Sequence, residues 1–296
     1  AWARWASAET ERLSQAELLR DVSPLVPSTT GRPEAVLPRR QGNVLIFCSN
    51  DYLGLSAHRS VRAESSRAAA QYGMGPRGSA LVCGHTSEHD ELERRLAGLK
   101  SKETAVLFPS GYGANVGVLT ALAGGRDAGE VAVFSDALNH ASLVDGARLA
   151  ARAGAEVKVY RHRDLAHLEQ LLQECDRPRK LVVSDSLFSM DGHLAPVAGL
   201  AKLRHRYGFL LVLDEAHATL VFGAHGGGVA EASGCESAVD VSVGTLSKAV
   251  GAHGGFAACD ARLRRLLLTR ARPCVFSTAL PLPCVAAASA ALGVAA

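Results

Sequence analysis

The stretch FLLVLDEAHATL, residues 209–220, runs five apolar residues into an acid and then changes character. A short apolar run closed by a polar residue reads as a strand buried on both faces. Asp214 then stands at its carboxyl end, with His217 one turn further on. Similar runs recur along the chain as AVLF (105–108), VAVF (131–134), EVKVY (156–160), KLVVSD (180–185) and VDVSVG (239–244). Between them lie stretches with helical spacing: EHDELERRLAGL (88–99), HASLVDGARLAARAG (140–154), LAHLEQLLQEC (165–175) and VAGLAKLRHRYG (197–208). Strands alternating with helices predict an α/β fold whose mostly parallel central sheet is flanked by helices on both faces. Ligands of such sheets gather at the carboxyl ends of the strands.

The alternation gives one large α/β domain over residues 45–280. Residues 1–44 read as an N-terminal segment, in which the Pro-, Ser- and Arg-rich stretch from about Ser14 to Gln41 reads as a helix followed by an irregular connection. Pro281 and Pro283, followed by an Ala-rich stretch to residue 296, read as the start of a helix leaving the domain.

Composition narrows the classes. The net charge of +3 is spread along the chain rather than gathered into a basic run, which argues against a nucleic-acid partner. The 7 cysteines lie at irregular positions with no Cys-x-x-Cys pair, as expected of reduced thiols in a cytoplasmic protein, with the peroxisome as the alternative compartment. No apolar stretch approaches the roughly 20 residues of a membrane span.

Several segments carry groups capable of chemistry. VSVGTLSKAVGAHGG (241–255) places Thr245, Ser247 and Lys248 just beyond a strand, among glycines. A lysine there is partly desolvated, so its amine is more readily neutral and nucleophilic; taken alone, a solvated surface lysine is the plain reading. Asp214 is placed to bond a protonated ring nitrogen. Its neighbours Asp214-Glu215-Ala216-His217 also spell an acidic helicase box, but the phosphate loop that box requires is nowhere in the sequence. PSGYGAN (109–115) sets Gly111 and Tyr112 at a strand-to-helix turn, an anion site of modest specificity. FSDALNHASLVDG (134–146) puts His140 at a helix entry, where a capping role is the plain reading and stacking on an aromatic ring the functional one. SDSLFSMDG (184–192) reads as an ordinary strand exit. The histidines lack the spacing of a metal site, and none is expected. His225-Gly226-Gly227-Gly228 has no G-x-S-x-G partner and reads as a loop.

In this order, SNDYLGL (49–55), YGMGPRGSALVCGHT (72–86), SGYGAN (110–115), FSDALNHASLVDG, DSLFSMDG (185–192), LDEAHAT and VGTLSKAVGAHGG resemble the α-oxoamine synthases. These are fold-type I pyridoxal 5′-phosphate enzymes that condense an amino acid with an acyl-CoA and release carbon dioxide. The wording of three of the motifs is nearest the plant-type 8-amino-7-oxononanoate synthases of biotin synthesis, which join L-alanine to pimeloyl-CoA. Serine palmitoyltransferase, glycine C-acetyltransferase and 5-aminolevulinate synthase are the catalytic alternatives within the family, and a non-catalytic family subunit is the alternative of a different class.

The resemblance implies that Lys248 forms the Schiff base, Asp214 partners the pyridine nitrogen and His140 stacks on the ring. It implies that His217 and Ser189 hold the phenolic oxygen, and that Gly111, Tyr112 and Thr245 receive the phosphate. Ser277 and Thr278 would reach the phosphate of a neighbouring subunit, so a homodimer with shared sites follows. Asn50 would lie near the active site, with His140, on the substrate side. Two departures stand out. The family has Asp-Asp-Ala-His-Gly where this chain has Asp214-Glu215-Ala216-His217-Ala218, and a positive φ at 218 would set its methyl against the loop. The family's C-terminal small domain, which supplies an arginine for the substrate carboxylate, is represented only by the first residues of its connection, 281–296.

Overall fold

The computed structural model describes residues 1–27, 34–37 and 42–295. They form two compact units, Ala1–Ser49 and Asn50–Ala296. In the first, a helix spans Trp2–Gln15, built on the helix formers Ala, Glu and Arg and ended by Glu17 at φ 56°. Strands Val26–Pro27, Glu34–Leu37 and Gly42–Leu45 then pair in an antiparallel sheet. The helix expected to start near Ser14 thus ends there, and part of the stretch read as irregular is a ladder; its remainder, at 28–33 and 38–41, lies outside the described residues. Val44 belongs to this ladder through its pairing with Ala35, so the α/β unit begins at Asn50 rather than at residue 45.

The second unit is built on seven strands: β1 (Thr104–Phe108), β2 (Val131–Asp136), β3 (Glu156–Tyr160), β4 (Arg179–Asp185), β5 (Leu210–Asp214), β6 (Val241–Thr245) and β7 (Gly255–Cys259). Their order across the sheet is β1-β7-β6-β5-β4-β2-β3. The five strands from β6 to β3 pair in parallel, as the alternation predicted. β7 is the exception, lying antiparallel between β1 and β6. Its sequence, GFAAC, is too short and too poor in branched residues to announce a strand. Phe256 on β7 lies over Gly244, where an added Cβ would stand 2.4 Å from the ring.

Eight longer helices accompany the sheet: α1 (Arg59–Tyr72), α2 (Ser87–Leu99), α3 (Gly111–Ala123), α4 (Ala141–Arg152), α5 (Leu165–Gln173), α6 (Val197–Tyr207), α7 (Ala261–Arg270) and α8 (Leu282–Ala295). Alternate strand residues face opposite layers. Val131, Val133, Val183 and Val212 join α3 and α4 in one core, while Ala132, Phe134, Val182 and Leu211 pack toward α5 and α6 in another. That two-sided burial is why the strands read as unbroken apolar runs, each large side chain contributing about 1.5–3 kcal/mol. α8, expected to lead away, packs against α1 and α2 instead, burying Val285, Ala288 and Ala291.

The five parallel strands all end on one edge, with Asp136, Tyr160, Asp185, Asp214 and Thr245 as their last residues. This edge carries the site.

Candidate active site

A cavity of about 410 Å³ opens over that edge. Lys248, Asp214, His140, His217, Gly111, Tyr112, Ser189 and Thr245 all line it, so eight of the residues singled out in the sequence converge on one space.

Lys248 lies in the turn after β6. Its Nζ is 2.8 Å from His217 Nε2, and His217 Nδ1 is 2.7 Å from the Tyr52 hydroxyl. That hydroxyl donates to Asn50 Oδ1 at 3.2 Å. Because the single Tyr52 proton goes to Asn50, the phenolic oxygen accepts from His217 Nδ1–H. His217 Nε2 is then bare and accepts from Lys248. Burial lowers the Lys248 amine below the usual lysine range, opposed by the charges of Asp214 and Asp185. Burial, reinforced by Lys248, pulls His217 down to about 4.

Asp214 ends β5 and is 5% exposed. Its Oδ1 accepts from the Ala216 amide at 2.8 Å and its Oδ2 from Asn115 Nδ2 at 2.6 Å. These two donors fix the orientation of the carboxyl group, which lines the cavity. Beside it, at the paired position on β4, stands Asp185. Burial first, and then the charge of Asp214, push the Asp185 carboxyl up to about 8. Its Oδ2 accepts from the His140 amide at 2.8 Å.

At the other end, α3 begins at Gly111, with Ser110 as its cap accepting from the Gly113 amide at 3.0 Å. The first amides of a helix have no partner within it. Those of Gly111 and Tyr112 could therefore hold an anion. Gly111 keeps the turn close to β6: a Cβ there would lie 3.0 Å from the Thr245 side chain, which would have to give way by a few tenths of an ångström. The Thr245 hydroxyl donates to Gly254 O at 3.0 Å and lies 2.8 Å from Ser247 Oγ, so it must turn to meet an anion.

Ser277 and Thr278 do not line this cavity; Thr278 bridges to Ser79 elsewhere on the unit. Asn50 stands behind Tyr52. Ala218 is buried, and the positive φ in this loop falls at Leu220, at 63°, so the methyl is accommodated without strain. Glu215 points away from the cavity and into the protein, 3.3 Å from Lys100.

The family model for aminotransferase class I and II matches residues 42–296. The chain belongs to that family.

The family's relatives include an 8-amino-7-oxononanoate synthase of Arabidopsis thaliana, 52% identical, with 85% of this chain and 55% of the relative covered. The protein of the same name from Anaeromyxobacter sp. strain K is 49% identical, over 98% of this chain and 70% of its own length. The chain thus spans little more than half of the plant relative. Among solved structures of the family, Sphingomonas wittichii serine palmitoyltransferase superposes with a TM-score of 0.86 at 31% identity, covering 99% of this chain and 71% of that one. An SPT carrying PLP as its internal aldimine gives 0.85 at 32%, over 97% and 70%. Both the fold-type I architecture and the α-oxoamine synthase resemblance are thereby borne out.

Sequence reading missed Asn115, Ser142 and Asp185. Asp185 had a visible signal: KLVVSD and FLLVLD both end in an acid, and neighbouring parallel strands of equal phase set those acids side by side. No helix among the described residues is long and apolar enough to cross a membrane.

Proposed function

We propose that the chain binds pyridoxal 5′-phosphate on Lys248 and serves in the decarboxylative condensation of L-alanine with pimeloyl-CoA. The observation that carries this reading is the placement of one desolvated lysine, one doubly anchored carboxylate and one helix N-terminus around a single cavity. The donor set suits the cofactor: an amine for its aldehyde, an anion for its ring nitrogen and amides for its phosphate. The 52% and 49% identities to 8-amino-7-oxononanoate synthases support the choice of substrates.

The cofactor, when bound, acts as an electron sink for negative charge at the α-carbon of an attached amino acid. The protein's own groups do the rest. Asp214 holds a proton on the ring nitrogen by charge-assisted bonding, its geometry set by Ala216 and Asn115. Gly111 and Tyr112 receive the phosphate, and Thr245 joins them once its hydroxyl turns. His140 covers the ring, and Ser189 with His217 faces its phenolic oxygen. The free Lys248 amine would take the α-proton of the substrate and later return one. His217 Nε2, a bare acceptor, orients that amine. The subunit pairing implied by Ser277 and Thr278 is part of the same reading: from a second copy they would complete the phosphate site.

Alanine with pimeloyl-CoA against serine with palmitoyl-CoA is the discriminating assay, on a chain extended to the full length of the relatives. Faster turnover of the first pair supports the reading. Faster turnover of the second moves the protein to a different branch of the family while leaving the cofactor chemistry in place.

A further inference from the structure

Hydrogen-bond direction around His140 is fully determined by its neighbours. The Ser142 amide, in the first turn of α4, donates to His140 Nδ1 at 3.2 Å, as the helix cap requires. Ser142 Oγ lies 2.7 Å from the same nitrogen and 2.9 Å from Asn115 Nδ2. Asn115 Nδ2 gives its other hydrogen to Asp214 Oδ2, which as a carboxylate only accepts. Both Asn115 hydrogens are thus committed, so Ser142 Oγ accepts from Asn115 and must send its own proton to His140 Nδ1. That nitrogen receives two donors and carries no hydrogen; the ring proton of neutral His140 lies on Nε2. The price is visible at Asn115 Oδ1, buried with no partner among the described residues.

We propose that Asn115 and Ser142 are positioning residues that relay the acceptor character of Asp214 to His140. They lock its imidazole in the Nε2–H form, which presents a hydrogen-bond donor to an anionic or carbonyl acceptor in the cavity. The relay joins the carboxylate below the ring site to the imidazole that borders it, so both groups are set in one arrangement before a ligand enters. The tautomer stands independently of the cofactor; the use of the donor rests on the function proposed above.

The test is long-range ¹H–¹⁵N spectroscopy of protein labelled in histidine, without cofactor, His140 being assigned by His140→Gln. The expected spectrum has Nδ1 unprotonated and Nε2 protonated. Ser142→Ala removes one of the two donors, so the two nitrogen shifts move toward each other, and Ser142→Thr restores their separation. Titration with pyridoxal phosphate should show a dissociation constant raised about fivefold in Ser142→Ala, the worth of one ordinary hydrogen bond. A wild-type His140 carrying its proton on Nδ1, or shifts unmoved in Ser142→Ala, overturns the relay. An Nε2–H wild type that fails to bind the cofactor leaves the relay standing and overturns the proposed function.

Discussion

Asp185 and Asp214 occupy paired positions on adjacent parallel strands, so two carboxyl groups lie side by side at the floor of one cavity. Two buried like charges at that distance oppose each other, and the structure resolves the conflict unequally. Asp214 has two firm donors, from Ala216 and Asn115, whereas Asp185 has the His140 amide. The proton therefore settles on Asp185.

This makes stability depend on pH in a defined window. With its folded value pushed up to about 8, Asp185 holds a proton that the unfolded chain releases near the ordinary carboxylate value of about 4. The folded state binds more protons between those limits, so stability falls as pH rises through them. Urea midpoints of the cofactor-free protein, followed from pH 6.5 to pH 8.5, should decline in the wild type and flatten in Asp185→Asn. Parallel curves for the two proteins would show that Asp185 is ionised throughout.

His217 works in the opposite direction. Its folded value of about 4 lies below the unfolded histidine value of about 6.5, so the unfolded chain takes up the proton first as pH falls. Stability is therefore lost between about pH 6.5 and pH 4, and His217→Gln should lose less across that interval. The same variant releases Lys248 from its 2.8 Å partner, so its rate of cofactor capture should drop several-fold. An unchanged acid limb would mean that the imidazole is more open to water than its packing indicates.

Lys100 and Glu215 form an ion pair at 1% and 0% side-chain exposure, with Thr219 Oγ1 and Gly227 O also accepting from Lys100 at 2.8 and 2.7 Å. Glu215 also accepts from the Ala230 amide at 3.1 Å. The pair ties the end of α2 to the loop bearing Asp214 and His217. Removing one partner strands the other charge, so Lys100→Met should cost about 3–5 kcal/mol in urea unfolding. The double variant Lys100→Met/Glu215→Gln should recover part of it. A single variant within 1 kcal/mol of the wild type would place the pair in water. This pairing also explains the acid at 215: its longer side chain reaches Lys100 rather than the cavity.

Most of the strands that could be read from the sequence are buried on both faces, where burial wrote itself as apolar runs, several closed by an acid or hydroxyl; the partly exposed edge strand EVKVY is the exception. Asp214, Lys248 and Thr245 were found for that reason, each standing at or just past such an end. β7 was not, since GFAAC packs through one phenylalanine and small residues that leave no periodic trace. The first unit's ladder was missed because Val26–Pro27, Glu34–Leu37 and Gly42–Leu45 are two to four residues long, too short for alternation to register. Asn115 and Ser142 were invisible because their meaning lies in the direction of hydrogen bonds across three elements. The role of Ala218 needed the backbone itself, which puts the left-handed residue at Leu220.

The central claim is that Lys248 carries the cofactor. Protein incubated with pyridoxal phosphate, reduced with borohydride, digested and mapped by mass spectrometry tests it directly. The account predicts one modified peptide, with the added mass on Lys248, and its disappearance in Lys248→Ala. Stoichiometric modification of any other lysine, or an adduct that persists in Lys248→Ala, would contradict it.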